Sequence, residues 1–150
     1  MEIVEDTLAV DIGTFLARPL FCFLATASSE GPRVSPLWYL WEDGALWIAV
    51  SPETKSYPAR IERDPRTAVA VVDFDVHRGL VQHVGMRGHA SVEEFDPDRA
   101  RRLFRRYLGP EQRWDGRFHG VFDRGDRYRL VRFEPETVVA RDQSYAPAQL

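Results

Sequence analysis

The sequence predicts an α+β fold, mostly β: six antiparallel strands closed into a small barrel with flanking helices, forming one domain over residues 1–150. Three observations predict it. Six short apolar, β-branched and aromatic runs are separated by Gly, Pro or acidic turns. Strongly helical periodicity is confined to two segments. With 150 residues, 44% hydrophobic and 12% aromatic, the chain is sized for a single core rather than for disorder.

Leu8, Ile12, Phe15 and Leu16 lie at i, i+4, i+7 and i+8, the stripe of an amphipathic helix over 8–17 that Pro19 ends. Leu20–Ala27 reads as a strand closed by the turn Ser28-Ser29-Glu30-Gly31. Arg33–Trp41 reads as a second strand, and Glu42-Asp43-Gly44 as a hairpin turn into Ala45–Val50. These three strands predict an antiparallel meander. The next segment, 51–66, holds Pro52, Pro58 and Pro65 around a helical patch at Ala59–Arg63.

Thr67–Phe74 is apolar almost throughout, which predicts a central strand buried on both faces. Leu80–Val92 is a further strand in which Gly85 and Gly88 signal a bulge or bend. Asp96 and Pro97 open a helix with the stripe Ala100, Leu103, Phe104, Tyr107 and Leu108, and Gly109 closes it. Its other face carries Arg99, Arg101, Arg102, Arg105 and Arg106, read as a solvated surface. Residues 110–126 are irregular, with a short helix near Trp114, and Tyr128–Phe133 and Thr137–Arg141 complete the strands.

The net charge of -3 opposes a general nucleic-acid binder, which carries a basic face. Cys22, the only cysteine, excludes an internal disulfide and a multi-cysteine zinc site, and its apolar neighbours predict a buried thiol. No signal peptide and no apolar run of about 20 residues is visible, so a cytoplasmic protein without membrane contact is expected. Lysine and arginine total 20, and Lys55 is the only lysine.

Hydrolase elbows, phosphate-binding Walker loops and zinc-protease motifs are absent, and Gly79, Gly85 and Gly88 lack dinucleotide-binding spacing. His77, His83 and His89 recur every sixth residue, but on a strand such neighbours lie about 20 Å apart. One metal cannot bind all three, and no metal site is expected.

The informative stretch runs from Leu24 to Arg66. It reads Phe23-Leu24-Ala25-Thr26, then Gly31-Pro32-Arg33-Val34-Ser35-Pro36-Leu37-Trp38-Tyr39, then Asp43-Gly44-Ala45-Leu46-Trp47-Ile48, then Arg60-Ile61-Glu62-Arg63-Asp64-Pro65-Arg66. Met86-Arg87-Gly88-His89-Ala90-Ser91-Val92 and an acidic-proline helix start follow. In this order the motifs resemble the pyridoxamine 5'-phosphate-oxidase-like superfamily of flavin and deazaflavin oxidoreductases.

The resemblance implies a split β-barrel homodimer with a cofactor site in each cleft between subunits. It implies FMN, or alternatively a deazaflavin coenzyme, and hydride transfer to or from a small organic substrate. The phosphate would be held by Arg33 and by Ser51, Thr54, Lys55 and Ser56, a loop whose hydroxyls, cation and helix start also suit an anion on physical grounds. Val34, Ser35, Pro36, Leu37 and Trp38 would run along the flavin ring, with Trp47, Ile48 and Ala49 against its other parts.

His83 falls near a flavin-contacting glutamine of the vitamin-oxidising members, and Tyr39, Arg87 and Tyr145 are candidates for the substrate side. The vitamin oxidase's C-terminal arginine-leucine-histidine-aspartate-arginine run is replaced by Arg141-Asp142-Gln143-Ser144-Tyr145. Two alternatives stand beside the oxidoreductase: a non-catalytic flavin-binding protein, and a haem-binding or haem-degrading split barrel using His77, His83, His89 or His119.

Overall fold

The computed structural model describes residues 1–148. Eight strands share one sheet: β1 (Glu2–Asp6), β2 (Cys22–Thr26), β3 (Arg33–Leu37), β4 (Leu40–Glu42), β5 (Ala45–Val50), β6 (Arg66–Asp75), β7 (Leu80–Glu94) and β8 (Arg129–Asp142). The helices are α1 (Ile12–Leu16), α2 (Tyr57–Arg63), α3 (Pro97–Leu108) and α4 (Gly116–Asp123).

Strand order is β3-β2-β6-β7-β8-β5-β4, antiparallel throughout, with β1 added parallel to β8. Only Trp38 and Tyr39 separate β3 from β4 in sequence, yet these strands lie at opposite ends of that order. The sheet therefore curls until its edges are joined by covalent chain, giving a half-open, split barrel.

This corrects the expected meander. Arg33–Trp41 is two strands, and its first half pairs only with β2. Pro36 has no N–H to give a second neighbour, so β3 belongs at an edge. The expected six strands become eight through this break and through β1, whose acidic sequence concealed its edge role.

Tyr128–Phe133 and Thr137–Arg141 fuse into β8, which passes Pro135 opposite a bulge at Arg87/Gly88. There the Glu134 carbonyl comes so close that a Cβ on Gly88 would collide with it. The first helix is shorter than its stripe suggested: Asp11 caps it by accepting from the Thr14 N–H, which leaves Leu8 outside.

The barrel interior is filled by alternate strand residues such as Leu24, Val69, Val84, Phe133 and Val138, sealed by Phe15 and Leu16 of α1. Cys22 is buried among them, and burial pushes its thiol up to about 12. A second cluster lies across β5, where Trp47 and Leu130 meet Leu103 and Phe104 of α3, Trp114, and Val121 of α4.

β5 is thus the strand covered on both faces. β6 is central but covered on one face only: Val72 and Phe74 look outward and are exposed. The α3 arginines do more than solvate a surface. Arg99 lies 3.8 Å over the Trp47 ring and bonds Glu42, and Arg102 also bonds Glu42. Arg106 donates to the carbonyls of Tyr39, Leu16 and Arg18, tying α3 to the barrel corner. Among the described residues no helix is long and apolar enough to cross a membrane.

Candidate functional site

The described residues contain three buried polar or charged side chains, Thr26, Arg60 and Thr67, and they adjoin one another at one end of the barrel. Thr26 and Thr67 are cross-strand partners on β2 and β6. Arg60, 7% exposed, reaches them from α2, its Nε donating to Thr26 Oγ1 at 2.8 Å and its Nη1 to Ser56 Oγ at 2.6 Å. Its Nη2 makes no hydrogen bond, and no carboxylate pairs with it among the described residues. Burial first, then the charges of Arg33 and Arg63, lowers its proton affinity. The unpartnered Nη2 is not an enclosed atom, so this guanidinium, with no counter-ion among the described residues, has a donor open to an anion.

Sequence reasoning placed Arg33 and Ser56 here but missed Arg60. A signal existed: an arginine one helical turn beyond a serine at a helix start can reach back to it. The helix itself contributes little, because α2 has seven residues and Pro58 removes one of its first N–H groups. Arg33 pairs opposite Thr26 at the start of β3. Ser51 and Thr54 form the turn before α2, where the Ser51 carbonyl accepts the Thr54 and Lys55 N–H groups, and the Lys55 side chain is exposed. A cavity of about 240 Å³ adjoins Arg60, lined also by Arg63, Ser28, Ser29 and Asp64, whose carboxylate is held by Arg66.

Five other candidates meet elsewhere. Pro36, Leu37, Trp38, Ile48 and Ala49 line a cavity of about 260 Å³ between β3 and β5, closed by Phe21, Leu103 and Phe104. Trp38 is held in place by stacking: Tyr107 lies 4.7 Å away and 3° from parallel, with Phe118 at 5.9 Å on the indole. The Tyr107 hydroxyl donates to the Leu20 carbonyl at 2.7 Å and accepts the Tyr39 N–H at 3.1 Å, which fixes the corner between β3 and β4. Ser35 sits mid-strand on β3, while Val34 turns to the outside of the sheet.

His83 is apart from these groups. It lies on the outer face of β7, lining a groove with Val34, Phe23 and Arg141. Tyr39 is not on a substrate surface. It is fully buried, its hydroxyl donates to the Arg18 carbonyl, and burial raises its pKa. Tyr145 is exposed beside the Gly79 backbone. Of the other histidines, His77 lies in the turn after β6, His89 pairs with Glu136, and His119 packs by Trp114. No group of three metal-ligating side chains forms among the described residues.

A half-open barrel with a basic end and a cavity along its split defines the split-barrel class of domain. The family model described as pyridoxamine 5'-phosphate oxidase matches residues 11–140, and the chain belongs to that family. Comparison with curated proteins finds no match.

Solved structures share the fold. The conserved hypothetical protein Rv2991 of Mycobacterium tuberculosis superposes with a TM-score of 0.73 at 22% identity, covering 95% of this chain and 89% of that one. An F420 reductase gives 0.66 at 20% identity, covering 87% and 98%. The haem storage protein HutZ from Vibrio cholerae gives 0.68 at 16% identity, covering 89% and 93%.

Proposed function

We propose that this protein is a flavin-dependent oxidoreductase, using FMN or a deazaflavin coenzyme to move a hydride to or from a small organic substrate. The observation that carries the reading is Arg60: a buried guanidinium with a free Nη2 and no carboxylate, adjoining Arg33 and Ser56. A cofactor phosphate supplies the missing charge. Family membership and the likeness to an F420 reductase point the same way.

In this reading Arg60, Arg33, Ser56 and Lys55 hold the phosphate, with Thr26 fixing the Arg60 fork. The segment Val34–Trp38, from β3 into the corner after it, orients the ring system from one side and Ile48 and Ala49 from the other, while Leu103, Phe104 and the stacked Trp38 exclude water. When bound, the flavin supplies the hydride chemistry and the protein supplies orientation and a dry cavity. The exposed apolar face around Phe23, Val34, Val72 and Phe74 is larger in character than isolated surface residues and suits a second copy of the chain. A homodimer is the assembly proposed.

The test is titration of apoprotein with FMN and with deazaflavin coenzyme, read by fluorescence and thermal stability. Arg60→Met is expected to weaken binding by about 1.5–3 kcal/mol, the worth of a hydrogen bond to a charged group. The same change should leave apoprotein stability equal or higher, because a buried unpaired charge is removed. Saturable binding of neither cofactor would overturn the reading, and a Soret band on adding haem would move the protein to the haem-binding branch.

A further inference from the structure

One hydroxyl interrupts the sheet where the split begins. The β2–β3 ladder ends with Cys22 opposite Leu37. The next residue on each strand, Phe21 and Trp38, lines the split-side cavity. One residue further, the same register would set Leu20 against Tyr39. Among the described residues no backbone bond joins these two. The Tyr107 hydroxyl lies between them instead, donating to the Leu20 carbonyl at 2.7 Å and accepting the Tyr39 N–H at 3.1 Å.

A side chain from α3 has therefore taken the place of a ladder rung. A bond relayed through a hydroxyl spans more than a direct N–H to carbonyl bond, so the two strands part here. The surrounding groups hold them in that state. The Leu20 N–H is turned to the Arg18 carbonyl, and the Tyr39 carbonyl accepts from Arg106. The Tyr107 ring lies 4.7 Å from the Trp38 indole and 3° from parallel. Leu103 and Phe104, one turn earlier on the same face of α3, line the same cavity. One helix thus walls the cavity and spaces two of the other residues that line it. A phenylalanine at 107 would stack on Trp38 equally well; only the hydroxyl makes the rung.

We propose that Tyr107 is the positioning residue of the split-side cavity: its hydroxyl, inserted between Leu20 and Tyr39, keeps Phe21 and Trp38 at the spacing that admits a flat ring. Tyr107 does not line the cavity itself and acts through these two neighbours. As the seat of a flavin ring this rests on the flavin reading; as the restraint on Trp38 it stands without it.

The experiment titrates wild type and Tyr107→Phe with lumiflavin, a flavin ring without a phosphate, and with FMN. The variant keeps the stack and loses the rung. Lumiflavin affinity is expected to fall about tenfold, the size of one hydrogen bond. The ratio of FMN to lumiflavin affinity, set at Arg60, should not change. In a Trp38→Phe background the same substitution should cost less than about twofold, because residues acting through one another are not additive. Fluorine NMR of protein carrying fluorinated tryptophan reads the restraint without any ligand. The Trp38 resonance, assigned by its loss in Trp38→Phe, should shift or broaden in Tyr107→Phe while those of Trp47 and Trp114 stay in place. An unmoved Trp38 resonance, an unchanged lumiflavin affinity, or an equal loss in the Trp38→Phe background would overturn the proposal. If wild type binds neither lumiflavin nor FMN, the flavin reading falls, and the fluorine spectrum alone decides the role of Tyr107.

Discussion

The two sides of this sheet are built from the same residue types and end in opposite conditions. On the β5 side, Trp47 and Leu130 are covered by α3, α4 and a set of interlocked aromatic rings, Phe104 lying within 6 Å of Trp114, Phe118 and Phe122. On the β6 side, Val34 is 66% exposed and Phe74 61% exposed, and no helix crosses them. The helices that follow β7 fold back outside β5, whereas α2, which follows β5, packs Tyr57 and Ile61 into the barrel interior. The chain covers its own sheet where it can reach, and the side it cannot reach remains apolar and available to ligands or to another copy.

Removing an aromatic from the covered side breaks this contrast hardest. Phe104→Ala should cost about 3–5 kcal/mol in a urea melt, as expected for a large buried ring. Gly88→Ala comes next: the new methyl meets the Glu134 carbonyl at the bulge, and overpacking of this kind costs about 1–3 kcal/mol. Phe74→Ser, on the open side, should change the stability of dilute protein by less than about 0.5 kcal/mol while weakening self-association in sedimentation. If Phe74→Ser matched Phe104→Ala in cost at low concentration, the two sides would not differ as described.

The smallest effect concerns pH. Hydrogen bonds from Arg102, and then from Arg99, hold the Glu42 carboxyl below its ordinary value despite partial burial. Its contribution is therefore fully present above the ordinary carboxylate pKa and disappears as pH falls through the lowered one. Melts of wild type and Glu42→Gln should differ at pH 7 and draw together as pH is lowered through the acid range. A constant gap across that range would deny the arginines their role in fastening α3 to the β4–β5 turn.

Much of this was legible in the chain. The Glu42-Asp43-Gly44 turn, the capped helix from Asp96 to Gly109 and the bulge at Gly88 are local signals, written by turn chemistry and periodicity, and each appears where expected. What was hidden depends on distant partners. The break at Trp38–Tyr39 follows from Pro36 at an edge and from Tyr107, sixty-eight residues on, bonding the Tyr39 N–H. The apolar run of β6 reads the same whether its outer face meets a helix or nothing. Arg60 looks like a surface residue of a basic helix until Thr26 and Ser56 close around it. Resemblance named candidates in each of three places but not Arg60; their division among a basic end, a split-side cavity and an outer groove required the fold.

Because β1 pairs with β8, residues 2–6 wait for residues 137–140 before they have a neighbour. β1 precedes β8 by well over a hundred residues, so it is among the last strands to be placed. Long-range closure of this kind slows folding, and it leaves the backbone of β1 and one edge each of β5 and β7 unpaired for that interval. The period before β8 arrives is when the chain is most open to aggregation, and a ribosome stalled short of Thr137 would present it in that form.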